Sequence, residues 1–120
     1  TIIFYNKFNK KKIELLKKCG VRTYKILLNK NGDLNLKNVL IKVKQLGFYR
    51  IFLESGIKLT RNFLKENLVN DLNIYISSSK LNNNGSGNIK KYFKSLLKNK
   101  KHTVEKVNLF GDKLISYKIK

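Results

Sequence analysis

Residues 51–76 read IFLESGIKLTRNFLKENLVNDLNIYI, and their pattern sets the fold class. The run Arg50–Leu53 is short and almost wholly apolar. Between helices, such a run predicts a strand buried on both faces, as in a parallel sheet. Glu54 stands at its tip and the small pair Ser55-Gly56 follows. A helix is predicted at roughly Lys58–Asn67, with Leu59, Phe63 and Leu64 on its core side. Leu72–Ile76 is β-branched and aromatic, and reads as the next strand.

A turn of this kind is a permitted anion site. In open α/β sheets, ligands collect at the carboxyl ends of strands. The first turn of the following helix offers backbone N–H groups without intrahelical partners, at the positive end of the helix dipole. Such groups suit phosphate. Gly56 lets an anion approach the backbone closely. Lys58, Thr60 and Arg61 add donors, and Glu54 could hold a donor-rich polar ligand. The plainer alternative stands beside this one: a glycine between strand and helix is ordinary turn chemistry, and Glu54 could simply cap helix N–H groups.

Upstream, Thr1–Tyr5 reads as a strand, and Asn9 caps a helix that runs to Cys19, with Gly20 as its stop. Val21–Leu28 reads as a second strand, and Asn29–Asp33 as a turn-bearing loop. Asn35 caps the clearest helix. Its apolar stripe is Leu36, Val39, Leu40, Val43 and Leu46, and Gly47 ends it. Downstream, Ser77–Asn88 is a polar, glycine-bearing loop. Ile89–Lys101 is an amphipathic helix with Ile89, Tyr92, Phe93, Leu96 and Leu97 on one side. Thr103–Phe110 and Lys113–Lys120 form a closing hairpin around Gly111-Asp112. Strand and helix alternate three times before a further strand, which predicts an open α/β sheet with right-handed crossovers.

Composition bounds the function classes. At 120 residues, 42% hydrophobic and 11% aromatic, the chain can form one domain or most of one. It has no apolar run of membrane-spanning length and no signal-peptide pattern, so it reads as soluble and cytoplasmic. One cysteine, Cys19, and one histidine, His102, are too few for a protein-only zinc site, and no metal is expected. Cys19 is expected as a packed, inert thiol and His102 as a surface residue.

The net charge of +20 favours polyanions in general. The lysines are spread along every segment, however, and the chain has no Pro, Ala, Trp or Met. That bias fits AT-rich codon usage, so a nucleic-acid partner is not expected. A basic nucleic-acid-binding module remains the alternative function from another class.

Residues 53–76 closely resemble the reductase domain of the bifunctional riboflavin-biosynthesis deaminase/reductase of the RibD type. The resemblance rests on Leu53-Glu54-Ser55-Gly56, Leu59, Phe63-Leu64, Leu68-Val69-Asn70-Asp71-Leu72 and Tyr75. Leu34-Asn35-Leu36, Leu46-Gly47 and the terminal Gly111-Asp112 support it, over most of residues 20–120. Ser55 stands where the family has Gly or Ala, and Asn70-Asp71 where it has Asp-Glu. Ser78-Ser79-Lys80 stands where it often has Ala-Pro-Lys.

The resemblance implies a dihydrofolate-reductase-like sheet with flanking helices and a C-terminal antiparallel hairpin. Residues 1–120 would be the C-terminal part of a single domain, incomplete on its N-terminal side, with a zinc deaminase domain usually preceding it. It also implies hydride transfer from NADPH to the ribosyl C1 of 5-amino-6-(5-phosphoribosylamino)uracil. Carried over by position, Glu54 would contact substrate, while Gly56, Ile57, Lys58, Leu59, Thr60, Arg61 and Asn62 would line the NADP phosphates. The family usually pairs as homodimers. No general acid is assigned.

Overall fold

A computed structural model describes residues 1–79, 89–108 and 110–120. The chain divides into two compact units, Thr1–Phe52 and Leu53–Lys120.

The first unit runs β1 (Ile2–Tyr5), α1 (Lys10–Lys18), β2 (Arg22–Lys25) and α2 (Leu36–Gln45). Local chemistry sets each boundary. The Asn9 side chain accepts from the Lys12 amide at 3.0 Å, and Asn35 accepts from the Asn38 amide at 3.1 Å. Each cap satisfies one of the orphan donors of its helix. Gly20 and Gly47 follow the two helices at φ 72° and 90°, the left-handed region that glycine enters most cheaply. β1 and β2 pair in parallel with Ile3 opposite Thr23 and Phe4 opposite Tyr24. Asn6 donates to the Ile26 carbonyl at 2.9 Å and extends that pairing. The Phe4 and Tyr24 rings lie 6.2 Å apart, and Lys42 of α2 sits over the Tyr24 ring at 4.7 Å. Ile26 and Leu36 are the buried apolar residues of this unit.

The predicted strand Val21–Leu28 is shorter than expected. Beyond Lys25 only an isolated antiparallel bridge, Leu28 with Leu34, continues it. The bridge closes the predicted loop, where the Asn29 side chain accepts from the amides of Asn31 and Asp33, each at 3.0 Å. This is the side-chain-to-backbone bonding that favours Asn in turns.

Arg50–Leu53 is not a strand, and the reading of it as buried on both faces is corrected. Ile51 is 52% exposed and Phe52 84%, and the segment pairs with no strand among the described residues. Apolar character alone does not make a strand; a neighbouring backbone must supply the ladder. Cys19 is exposed rather than packed, because it is the C-cap of α1 instead of a member of its inner face.

The second unit holds α3 (Ile57–Lys65), β3 (Asp71–Ile76), α4 (Ile89–Leu97), β4 (His102–Lys106) and β5 (Lys113–Lys118). Its three strands are ordered β3-β5-β4 and wholly antiparallel. Thus β3 does not extend a parallel sheet, as the strand–helix alternation had predicted; the terminal hairpin claims its edge. Leu64, Phe93 and Ile119 are buried together, with Ile57, Leu72 and Ile74 packed against them. Along β3, Leu72 and Ile74 turn inward while Asp71, Asn73 and Tyr75 face out, the period of a half-buried strand.

α4 ends four residues before the predicted Lys101, where Asn99 enters the left-handed region at φ 69°. Phe93 is 5% exposed, as its place in the predicted stripe requires; Ile89 and Tyr92 lie outside the described side chains. Within the predicted loop Ser77–Asn88, residues 80–88 lie outside the described residues. The strand expected over Thr103–Phe110 stops at Lys106, and β5 begins at Lys113; Leu109 lies outside the described residues. His102 is exposed on β4, its ring 5.0 Å from that of Tyr117.

Candidate functional site

The candidate site is the corner that opens α3. Its residues all belong to the second unit, and they follow a stretch without regular secondary structure rather than a strand tip, so Glu54 is not placed by a sheet. Glu54, Ser55, Gly56 and Lys58 are exposed. Ile57 packs inward against the core cluster and so anchors the first turn of the helix.

Gly56 is the N-cap, with φ −64° and ψ 163°, and α3 has no side-chain cap. Its first-turn amides therefore have no acceptor from a capping side chain, unlike those of α1 and α2, where an asparagine supplies one. No acidic residue occupies the first turn. The backbone angles at Gly56 suit any residue, and a Cβ built there would meet nothing within 4 Å. Neither strain nor crowding within the chain demands glycine at this position.

Thr60 and Ser55 brace the corner from the side. Their hydroxyls are 2.9 Å apart, and Thr60 Oγ1 also lies 3.3 Å from the Gly56 carbonyl oxygen. A threonine hydroxyl bonded back to the carbonyl four residues earlier is a local brace. It engages a donor that the sequence had offered to a ligand. Arg61 and Asn62 are half-buried on α3. Leu59, expected on the core side, is 41% exposed, because Phe63 and Leu64 occupy the inward stripe. The corner thus brings Glu54 and residues 56–60 together at one helix start, with Arg61 and Asn62 on the next turn.

A second polar group was not legible in the sequence. Asp112, in the turn between β4 and β5, accepts from the Ser78 amide at 2.9 Å and from its hydroxyl at 3.3 Å. Its other oxygen accepts from Asn108 Nδ2 at 2.9 Å. These bonds, the Ser78 amide foremost, hold the Asp112 carboxyl below its ordinary value. Asn108 Oδ1 in turn accepts from the amides of Phe110 at 3.0 Å and Asp112 at 3.2 Å. Gly111 takes φ 88°, which the turn requires. The only sequence signal for this group was Gly111-Asp112, and that predicted a hairpin rather than a bond to Ser78.

The sequence model of one family, described as the RibD C-terminal domain, matches residues 1–113. The chain belongs to this family. The match starts at residue 1, so the first strand and helix belong to the RibD C-terminal domain as well as the residues that carried the resemblance. Membership implies an oxidoreductase of the reductase type in riboflavin biosynthesis, and RibD C-terminal domains generally use NADPH. Mixed α/β architecture agrees with such a domain. No curated protein matches the chain significantly. Among the described residues, no helix is long and apolar enough to cross a membrane.

Proposed function

We propose that this RibD C-terminal domain catalyses the NADPH-dependent reduction of 5-amino-6-(5-phosphoribosylamino)uracil at its ribosyl C1, giving the ribitylamino product. Both units are parts of one dihydrofolate-reductase-like reductase domain in this reading, which acts as a homodimer. NADPH, when bound, supplies the hydride; the protein supplies binding and orientation.

The observation that carries the reading is the opening of α3, in a chain of this family. Its N-cap is an exposed glycine with open space where a side chain would stand, and no side chain caps its first turn. An anion fits such a corner by the chemistry of its donors. The amides of Ile57, Lys58 and Leu59 face the diphosphate, and Thr60, Arg61 and Asn62 complete the wall on the next turn. Lys58 and Arg61 add positive charge beside it. Glu54, exposed two residues before the glycine, accepts hydrogen bonds from the substrate.

Gly56→Val tests this directly. The backbone angles and the open space both admit valine, so the fold should be unchanged. NADPH binding, followed by the cofactor's fluorescence, should weaken more than tenfold, because the new side chain fills the place of the diphosphate. Lys94→Ala, on the exposed side of α4, should leave binding unchanged. Equal losses from the two substitutions would refute the site.

A further inference from the structure

A cavity of about 380 Å³ opens on the first unit, lined by Lys17, Gly20, Val21, Arg22, Thr23 and Tyr24. Its walls are the end of α1 and the start of β2. That volume lies in the range of small-molecule sites. Val21, Thr23 and Tyr24 are half-buried, while Lys17 and Arg22 are exposed. The cavity therefore joins an apolar, aromatic part to two cations.

Its polar groups are donors. The Arg22 and Ile26 amides donate to the Thr1 and Tyr5 carbonyls of the β1 side at 3.1 and 2.7 Å. Alternate residues of a strand bond to opposite sides, so the Thr23 amide points away from β1, where β2 has no strand partner among the described residues. Acceptors at the end of α1 are already in use. The carbonyls of Leu15, Leu16 and Lys17 accept from the amides of Cys19, Val21 and Gly20 at 3.1, 2.9 and 2.9 Å. Neither Lys17 nor Arg22 has an ion pair among the described residues. Glu14 and Asp33 are the acidic residues of this unit, and neither lines the cavity. An entering anion thus meets positive charge without a competing carboxylate. The Tyr24 ring is held in place by the Phe4 ring at 6.2 Å and by Lys42, 4.7 Å from its centre. Lys42 brings a third cation to that ring.

We propose that this cavity binds a nucleoside monophosphate, with the phosphate on Arg22, Lys17 and the Thr23 amide and the base against Tyr24 and Val21. A guanidinium fork matches phosphate oxygens, and an aromatic wall rewards a planar base. Inorganic phosphate would leave that wall unused. A long polyanion would be drawn to lysines all along the chain rather than to this cavity. A free nucleotide and the adenosine end of a dinucleotide share the required chemistry. The site stands on the first unit alone and does not rest on the diphosphate reading of the α3 corner.

The test titrates adenosine 5′-monophosphate into the full chain and follows backbone amide shifts by NMR. Shifts at residues 20–24 should saturate. Arg22→Ala should weaken the affinity about tenfold and Lys17→Ala about threefold, as expected for lost charge-assisted hydrogen bonds. Both side chains are exposed, so the fold should persist. Lys10→Ala removes the same charge from α1 outside the cavity and should change nothing. Adenosine alone and inorganic phosphate alone should each bind about tenfold more weakly than the nucleotide, since each meets half of the site. Shifts that never saturate, equal losses from Lys10→Ala and Arg22→Ala, or inorganic phosphate binding as tightly as the nucleotide would overturn the proposal. The same variants titrated with NADPH separate the two sources of the ligand. A matching loss identifies the adenosine end of the cofactor as the occupant, and unchanged NADPH affinity identifies a free nucleotide.

Discussion

The two units use the same kinds of residue to different effect. The first has a parallel pair of strands, two well-capped helices and two buried apolar side chains, Ile26 and Leu36. The second has an antiparallel sheet of three strands and a contiguous core around Leu64, Phe93 and Ile119. Phe8, Leu15, Tyr49, Ile51 and Phe52 of the first unit are all more than half exposed. The difference follows from strand direction. Antiparallel neighbours close locally through a short turn, so a hairpin brings its own partner. Parallel strands need crossovers and a sheet covered on both faces before their apolar residues are buried. A two-stranded sheet is marginal for that purpose.

This contrast can be broken by mutation. Phe93→Ala empties the centre of the second unit and should cost about 3–5 kcal/mol in chemical denaturation. A loss below about 1 kcal/mol would mean that the core described here does not hold the unit together. Asn9→Ala and Asn35→Ala should each cost about 1 kcal/mol, because both remove the cap of a helix in the first unit. Gly56→Ala should cost α3 no such amount, since it has no side-chain cap to lose.

Smaller effects sharpen the comparison. The lowered Asp112 pKa means that its bonds to Ser78 and Asn108 stabilise the folded turn above the ordinary carboxyl value of 3.8. That contribution should fade as pH falls below 3.8 through the still lower folded value, since the native turn favours the ionised form. Amide shifts of Ser78 followed by NMR should move in that range, and in Asp112→Asn they should not. Phe52→Ser, at a side chain 84% exposed, should change stability by no more than about 0.5 kcal/mol. A loss of about 2 kcal/mol or more would show that Arg50–Leu53 is buried in solution after all.

Much of this was legible in the chain. Asn9 and Asn35 announced helix starts, Gly20 and Gly47 announced helix stops, and Leu36, Phe63, Leu64 and Phe93 fell on inward faces. These readings depend on neighbours within about one helical turn, where spacing and side-chain chemistry act directly. The errors were of another kind. Arg50–Leu53 looked like a buried strand because its residues are apolar, Cys19 looked packed, and Leu59 looked inward. In each, burial depends on what lies across from the residue, which local spacing does not specify.

The candidate site divides along the same line. The helix start at Gly56, its exposed donors and the nearby Glu54 could be named from residue order alone, since a helix end and its orphan amides are local consequences of the backbone. The bracing of Ser55 by Thr60 came only with coordinates, as did the antiparallel pairing of β3 with β5 and the clamp of Asp112 on Ser78. The pairing and the clamp join residues far apart in sequence. Only folding pays the entropy of closing such loops, and only the tertiary structure records which distant groups then meet.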